Sequence, residues 1–266
     1  MNRLYITILA GGLGKRMNST LPKVLHKVNN KPMIVYIIET SLKLNPKKII
    51  IVVGRYKNII KETIDNYIQS DIIDYALQKT ALGTGDAVKS TLSMLHESND
   101  NVDNIILNGD VPMLKYETIR DIYQFYLDSG SRLLITTIKL KNPFGFGRIC
   151  FKQSSSPVKT NTPHMLNKFE KFQVDKIIEE KDCSLEEKLI DIVNCGIYIT
   201  NKNTLLEYIP QIKNNNAQKE YYITDIVHLC EGMKIGYILP ENKFDEIYNI
   251  NTADQLNYVN NTITTK

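Results

Sequence analysis

The stretch of this sequence best equipped for chemistry is Leu9-Ala10-Gly11-Gly12-Leu13-Gly14-Lys15-Arg16-Met17, followed by Pro22-Lys23. Glycines directly after a strand let backbone N–H groups approach phosphate oxygens, and Lys15, Arg16 and Lys23 add positive charge. Two common phosphate loops do not fit. A P-loop needs a glycine where Leu9 stands and a Ser or Thr where Arg16 stands, and a dinucleotide fingerprint read from Gly12-x-Gly14 needs a glycine where Met17 stands. A second candidate is Asn108-Gly109-Asp110, which ends the apolar run Val102 to Leu107 on a carboxylate. Other chemistries lack support. His26, His96, His164 and His228 make no HxxxH pair, and Cys150, Cys183, Cys195 and Cys230 make no CxxC. No convincing Ser/His/Asp or Cys/His set is present, and buried free thiols in a reducing compartment are the expectation.

The elements that must position these residues alternate between strand and helix. Strands are expected at Leu4 to Leu9, Lys48 to Val53, Ile72 to Leu77, Val102 to Leu107 and Arg132 to Lys139. Between them, helices are expected at Met33 to Leu44, around Ile59 to Ile68, at Thr84 to His96 and at Tyr116 to Leu127. This alternation implies an α/β fold, a Rossmann-like three-layer arrangement of a mostly parallel sheet with helices on both faces. Ligands of such sheets bind beyond the carboxyl ends of the strands, which puts Leu9 to Gly14 and Asn108 to Asp110 on one rim. The second half is less regular. Arg148 to Phe151, Val174 to Glu179 and Val193 to Ile199 read as strands, and Glu220 to Cys230 and Thr252 to Asn260 as helices. The polar stretch from Gln153 to Gln173 reads as a surface excursion.

The string LAGGLGKRM with Leu21-Pro22-Lys23-Val24-Leu25 resembles the signature loop of the sugar-1-phosphate nucleotidylyltransferases. Within them it is most similar to the bacterial-type N-acetylglucosamine-1-phosphate uridyltransferases. Further segments agree in order: Leu77-Gln78 with Leu82-Gly83-Thr84-Gly85, Gly109-Asp110-Val111-Pro112, and Gly145-Phe146-Gly147-Arg148-Ile149. Ile178 to Asp182, Val193 to Ile197, the run from Asn214 to Asp225, and Asn249-Ile250-Asn251 complete the series, so the resemblance spans about residues 4 to 260. It implies a nucleotide-diphospho-sugar transferase fold in a single domain. Residues 1–113 would serve the nucleotide and 114–251 the sugar with its extended loop at 153–173, leaving 252–266 as a C-terminal helix and tail.

The reaction implied is attack of N-acetylglucosamine-1-phosphate on the α-phosphorus of UTP, releasing pyrophosphate. The sugar phosphate is already anionic near neutral pH, so no general base is required. The difficulty lies in joining two polyanions, and cations with a metal meet it. By resemblance, Asp110 and Asn251 hold Mg²⁺, a donor set that suits a cation which rarely takes an all-protein cage. Arg16 and Lys23 are the expected catalytic cations. Leu9, Ala10, Gly11, Gly12, Lys23, Asn108, Gly109 and Asp110 are the expected nucleotide contacts, with Gln78, Gly83 and Thr84 resembling the uracil-reading elements. Gly147, Glu179, Asn194 and Asn251 resemble the sugar pocket, supported by Tyr222 and Thr224. Lys15 departs from the family's more frequent Thr, and Asn108 from a frequent aromatic residue.

Composition narrows the partners. The chain has 266 residues, 42% of them hydrophobic and 23% charged, which is ordinary globular usage. A net charge of +4 without a basic stripe does not argue for nucleic acid. No apolar run reaches membrane-spanning length and no signal peptide is legible, so a cytoplasmic location and no membrane partner are expected. Bacterial relatives commonly carry an acetyltransferase β-helix built of hexapeptide repeats; none is visible, and no acetyl-CoA site is expected. The oligomeric state stays open. So do two other readings: the same chemistry on another pair, such as glucose-1-phosphate with UTP or dTTP, and a noncatalytic regulatory homologue.

Overall fold

The computed structural model describes residues 3–12, 14–98, 100–152 and 172–264. Its strands are β1 (Leu4–Leu9), β2 (Lys27–Val28), β3 (Lys31–Pro32), β4 (Lys48–Val53), β5 (Ile73–Leu77) and β6 (Asp103–Asn108). They continue as β7 (Leu133–Lys139), β8 (Arg148–Phe151), β9 (Phe172–Ile178), β10 (Ile192–Asn201) and β11 (Lys234–Leu239). The helices are α1 (Met33–Leu42), α2 (Lys57–Asp65), α3 (Thr84–Lys89), α4 (Leu92–His96), α5 (Tyr116–Ser129), α6 (Lys202–Tyr208), α7 (Asp225–Leu229) and α8 (Ala253–Thr264). Nine strands form one sheet in the order β5-β4-β1-β6-β10-β7-β11-β9-β8, and β2 and β3 make a small separate hairpin.

Continuous apolar strands demand cover on both faces, and they receive it. Ile49, Ile51 and Val53 of β4 join Ile6, Ile8, Ile105 and Leu107 in a core closed by α1, α2 and α5. Ile50 and Val52 point the other way, to Tyr5, Ile106 and Ala76, beneath α3, α4, α6 and α7. These are the three expected layers. Among the described residues, no helix is long and apolar enough to cross a membrane.

The parallel expectation holds across β5-β4-β1-β6. Beyond β6 the sheet becomes mixed, because β10 runs antiparallel to both β6 and β7. That reversal matters for the site: β6 brings its C-terminal end to the rim, whereas β10 brings its first residues. The helix expected from Thr84 to His96 is broken at Ser90-Thr91. There Ser90 Oγ donates to Ala87 O at 2.6 Å and Thr91 Oγ1 to Val88 O at 2.7 Å, and such back-bonding hydroxyls tighten the turn. The helix expected from Glu220 to Cys230 shrinks to α7, since Tyr221 spends its backbone on the 82–85 turn instead. β11 and α6 were not anticipated; Gly236 in the middle of β11 interrupts its apolar pattern. Of the surface excursion expected at 153–173, residues 153–171 lie outside the described residues, while Phe172 and Gln173 begin β9.

Candidate active site

Parallel pairing of β1 with β6 sets Leu9 beside Asn108, and Gly109 N donates to Leu9 O at 3.0 Å. The glycine loop and the Asn108-Gly109-Asp110 turn therefore share a rim, as expected of this topology. Gln78 follows β5 two strands away and donates its backbone N–H to Val53 O at 2.8 Å. Asn194 enters from the other side at the start of β10, its N–H donating to Gly147 O at 2.9 Å.

At the centre of the rim lies a compact polar cluster. The Lys23 ammonium pairs with Asp110 Oδ2 and donates to Asn251 Oδ1 at 3.0 Å, and Arg16 reaches the same Asn251 oxygen at 3.0 Å. Asn249 Nδ2 donates to the other Asp110 oxygen at 2.9 Å, and Ile250 N donates to the Asp110 carbonyl at 3.0 Å. Gln255 Oε1 accepts from the backbone N–H groups of Asn251 and Thr252 at 2.7 and 3.1 Å, fixing the start of α8. The four residues expected to handle phosphate and metal thus come from four separate segments and meet. Asn249 and Gln255 were missed, although Asn249 stands in the same motif as Asn251.

Asp110 and Asn251 offer two hard oxygen donors that converge on one cationic nitrogen. That geometry fits a small divalent cation completed by phosphate oxygens and water. Among the described residues, no group of three or more His, Cys, Asp or Glu gathers into an all-protein metal cage.

On the β5 side, Gln78 is buried and its Nε2 donates to Gly83 O at 3.0 Å and Asp86 Oδ2 at 2.8 Å. Gly83 has φ 119° and ψ 175°, a region open almost only to glycine, and a Cβ there would lie 2.5 Å from Tyr221 O. The turn is zipped to the 221–223 segment: Tyr221 N donates to Leu82 O at 2.8 Å, Gly85 N to Tyr221 O at 2.7 Å, and Ile223 N to Thr84 Oγ1 at 3.0 Å. The Thr84 hydroxyl is therefore a structural acceptor in this arrangement. Asp86 was not singled out from the sequence.

On the β10 side, Glu179 Oε1 accepts from the Thr224 hydroxyl at 3.0 Å. Burial holds the Glu179 carboxyl above its ordinary range; the Thr224 hydrogen bond opposes this, while the charges of Asp182, Asp225 and Glu220 reinforce it. Burial likewise raises the Tyr222 hydroxyl, and the charges of Asp182, Glu179 and Glu220 reinforce it. The Asn194 amide is held by its own strand, donating to Tyr198 OH at 2.6 Å and accepting from Gly196 N at 3.0 Å. The Asn108 side chain lies over Gly196, on the β10 side of the rim, where a Cβ would sit 2.6 Å from its Nδ2. Gly147 is fixed by the next residue. Arg148 is 1% exposed, donates to Phe146 O, and pairs with Glu180 at 2.7 Å, while Glu180 also accepts from Gly145 N at 3.0 Å. Gly12 and Arg16 stand at the exposed edge of the rim.

An α/β sheet whose rim carries a glycine loop, paired cations and a carboxylate–amide oxygen pair is the arrangement of a phosphate-handling enzyme. The chain belongs to the nucleotidyl transferase family, whose profile matches residues 6–244. It is 50% identical over 262 residues to a "Probable UDP-N-acetylglucosamine pyrophosphorylase" of Acanthamoeba polyphaga mimivirus, covering 97% of this chain and 95% of that one. It is 38% identical over 249 residues to the "Bifunctional protein GlmU" of Thermosipho melanesiensis, covering 94% of this chain but 48% of the relative. The chain thus spans about half the length of that bifunctional relative. Among solved structures, a UDP-glucose pyrophosphorylase complexed with UDP-glucose superposes with a TM-score of 0.71 at 16% identity, covering 100% and 99% of the two chains. At that identity the likeness is one of fold.

Proposed function

We propose that this protein joins UTP and N-acetylglucosamine-1-phosphate into UDP-N-acetylglucosamine, releasing pyrophosphate, with Mg²⁺ held by Asp110 and Asn251. The observation that carries the reading is the Lys23 ammonium seated between Asp110 and Asn251, with Arg16 on the same amide oxygen, at the carboxyl ends of β1 and β6. The name and near-complete overlap of the viral relative support the substrate pair.

In this reading the loop Leu9 to Gly12, with Asn108 and Gly109, lays backbone along the nucleotide. Gln78, Gly83 and Thr84 build the base-reading corner. Gly147, Glu179 and Asn194 form the sugar wall, stiffened by Tyr222 and Thr224. Glu179 offers oxygens to sugar hydroxyls, and burial holds its carboxyl above the ordinary range. Lys23 and Arg16 hold the triphosphate against the incoming sugar phosphate and neutralise charge on the pyrophosphate as it leaves. The sugar phosphate is its own nucleophile, so no side chain has to take a proton. Bound Mg²⁺ supplies Lewis-acid neutralisation of phosphate oxygens. One domain serves both substrates, with residues 1–113 facing the nucleotide and 114–251 the sugar. The unpaired cysteines agree with a cytoplasmic setting.

The test is pyrophosphate release from the purified chain, crossing UTP, dTTP, CTP and ATP with N-acetylglucosamine-1-phosphate and glucose-1-phosphate. Release should be strongest with UTP and the N-acetylated sugar, should stop with chelator, and should return with Mg²⁺. Preference for another pair would overturn the substrate assignment, and no release with any pair would overturn the activity.

A further inference from the structure

The Gln78 side chain, 5% exposed, has its amide orientation set by its neighbours. Nε2 faces the Gly83 carbonyl at 3.0 Å and the Asp86 carboxylate at 2.8 Å, and both groups can only accept. Reversing the amide would press the lone pairs of Oε1 against two acceptors, one of them anionic. The amide therefore keeps its N–H pair toward Asp86 and its oxygen on the opposite side. That oxygen faces Gly11 in the glycine loop, where a Cβ would come within 2.7 Å of it.

We infer that Asp86 is a specificity-determining positioning residue: it locks Gln78 as a hydrogen-bond acceptor toward the bound base and so selects uracil over cytosine. Uracil carries an N3–H donor, whereas cytosine carries a bare acceptor at the same ring position. A locked oxygen accepts from the first and repels the second, and a buried mismatch of this kind is strongly penalised. Thymine has the same N3–H as uracil, so the lock does not discriminate against it. The inference rests on the uridine-nucleotide reading above. A purely structural role for Asp86, as a carboxylate in the first turn of α3, makes a different prediction: loss of stability with every nucleotide affected alike.

The experiment compares the full chain with Asp86→Asn, which keeps the shape but can donate to a reversed Gln78 amide. Pyrophosphate release gives kcat/KM for UTP, CTP and dTTP, and titration calorimetry gives Kd for the same nucleotides. The UTP-to-CTP preference should fall about tenfold or more, while the UTP-to-dTTP ratio stays within about twofold. Asp86→Ser, which withdraws the carboxylate acceptor from Gln78, carries the same expectation and serves if the amide variant is insoluble. An unchanged UTP-to-CTP ratio in either folded variant, or an equal loss for all three nucleotides, overturns the lock. If the wild-type chain binds UTP over CTP yet turns over neither, the reaction assignment fails while the Kd ratios still judge Asp86. If it binds no nucleotide, both fall.

Discussion

Replacing Gly83 with alanine tests how much of the proposed base-reading corner depends on one backbone position. At φ 119° and ψ 175° an L-residue carries a strain of about 1–3 kcal/mol. The new Cβ would also stand 2.5 Å from Tyr221 O and 2.8 Å from Tyr221 N, backbone atoms with no rotamer to escape into. Relief requires the turn to withdraw, weakening the 2.7 Å bond from Gly85 N to Tyr221 O and the 2.8 Å bond from Tyr221 N to Leu82 O. Two such bonds contribute about 1–3 kcal/mol, so the total loss is about 2–6 kcal/mol against a domain stability of about 5–15 kcal/mol. The variant should fold, melt at least about 5 °C lower by calorimetry, and show a raised KM for UTP because Gly83 O holds Gln78. Two other glycines separate the terms. Gly130, at φ 62° with open space around it, should show the conformational cost alone, and Gly12, with nothing within 4 Å and no positive φ, should show neither. A Gly83→Ala protein that melts within about 1 °C of the Gly130→Ala protein would refute the steric argument.

Asp110→Asn should leave the circular dichroism spectrum unchanged and reduce pyrophosphate release by about 10³-fold or more, since it removes the anionic oxygen facing Lys23; substantial activity would remove Asp110 from the metal assignment. Glu179→Gln should flatten the pH dependence of stability. A carboxyl whose pKa rises on folding binds its proton more tightly in the folded state, so its contribution is present at low pH. That contribution is lost as pH climbs from the ordinary carboxylate range through the raised value. Melting curves at pH 4 and pH 8 should therefore converge in the variant, and an unaltered difference would contradict the cause assigned. Glu180→Gln strips the counter-charge from Arg148, which is 1% exposed, and should cost about 3 kcal/mol in denaturant unfolding while raising the KM for the sugar phosphate through the loop at Gly147. A loss below about 1 kcal/mol would mean that the carbonyls around Arg148 suffice.

The first half of the fold was legible because its signals are local. Apolar runs such as Lys48 to Val53 end abruptly in glycine or Asn-Gly-Asp, and their alternation with helical faces permits few arrangements. The glycine loop and Asp110 could be placed on one rim from that alternation alone. What stayed hidden depends on long-range pairing. Tyr221 lies in a segment of helical composition, but its backbone is captured by a turn at Leu82 to Gly85, far away in sequence. The reversal of β10, which presents Asn194 at the rim, leaves no mark in its apolar pattern. In the sequence Asp86 is one charge within a helical stretch, and its 2.8 Å contact with Gln78 is what distinguishes it. Asn249 and Asn251 are the same residue type two positions apart, and only the fold shows that Asn249 donates to the second Asp110 oxygen.

The stitching of Leu82 to Gly85 onto Tyr221 to Ile223 has a thermodynamic consequence. Thr224, which supports Glu179, follows directly after the stitched residues, and Gln78 hangs from the other end through Gly83. The two walls are joined by the backbone bonds among Leu82, Gly85 and Tyr221, with the Thr84 hydroxyl adding a bond from Ile223 N. With the nucleotide and sugar placed as proposed, the occupancy of one subsite and the affinity of the other are expected to be linked. Linkage is reciprocal: whatever factor the nucleotide imposes on the sugar phosphate, the sugar phosphate returns to the nucleotide. Under the proposed function, a substitution that changes the preferred sugar is therefore expected to shift nucleotide affinity with it, and the two selectivities are best measured as a pair.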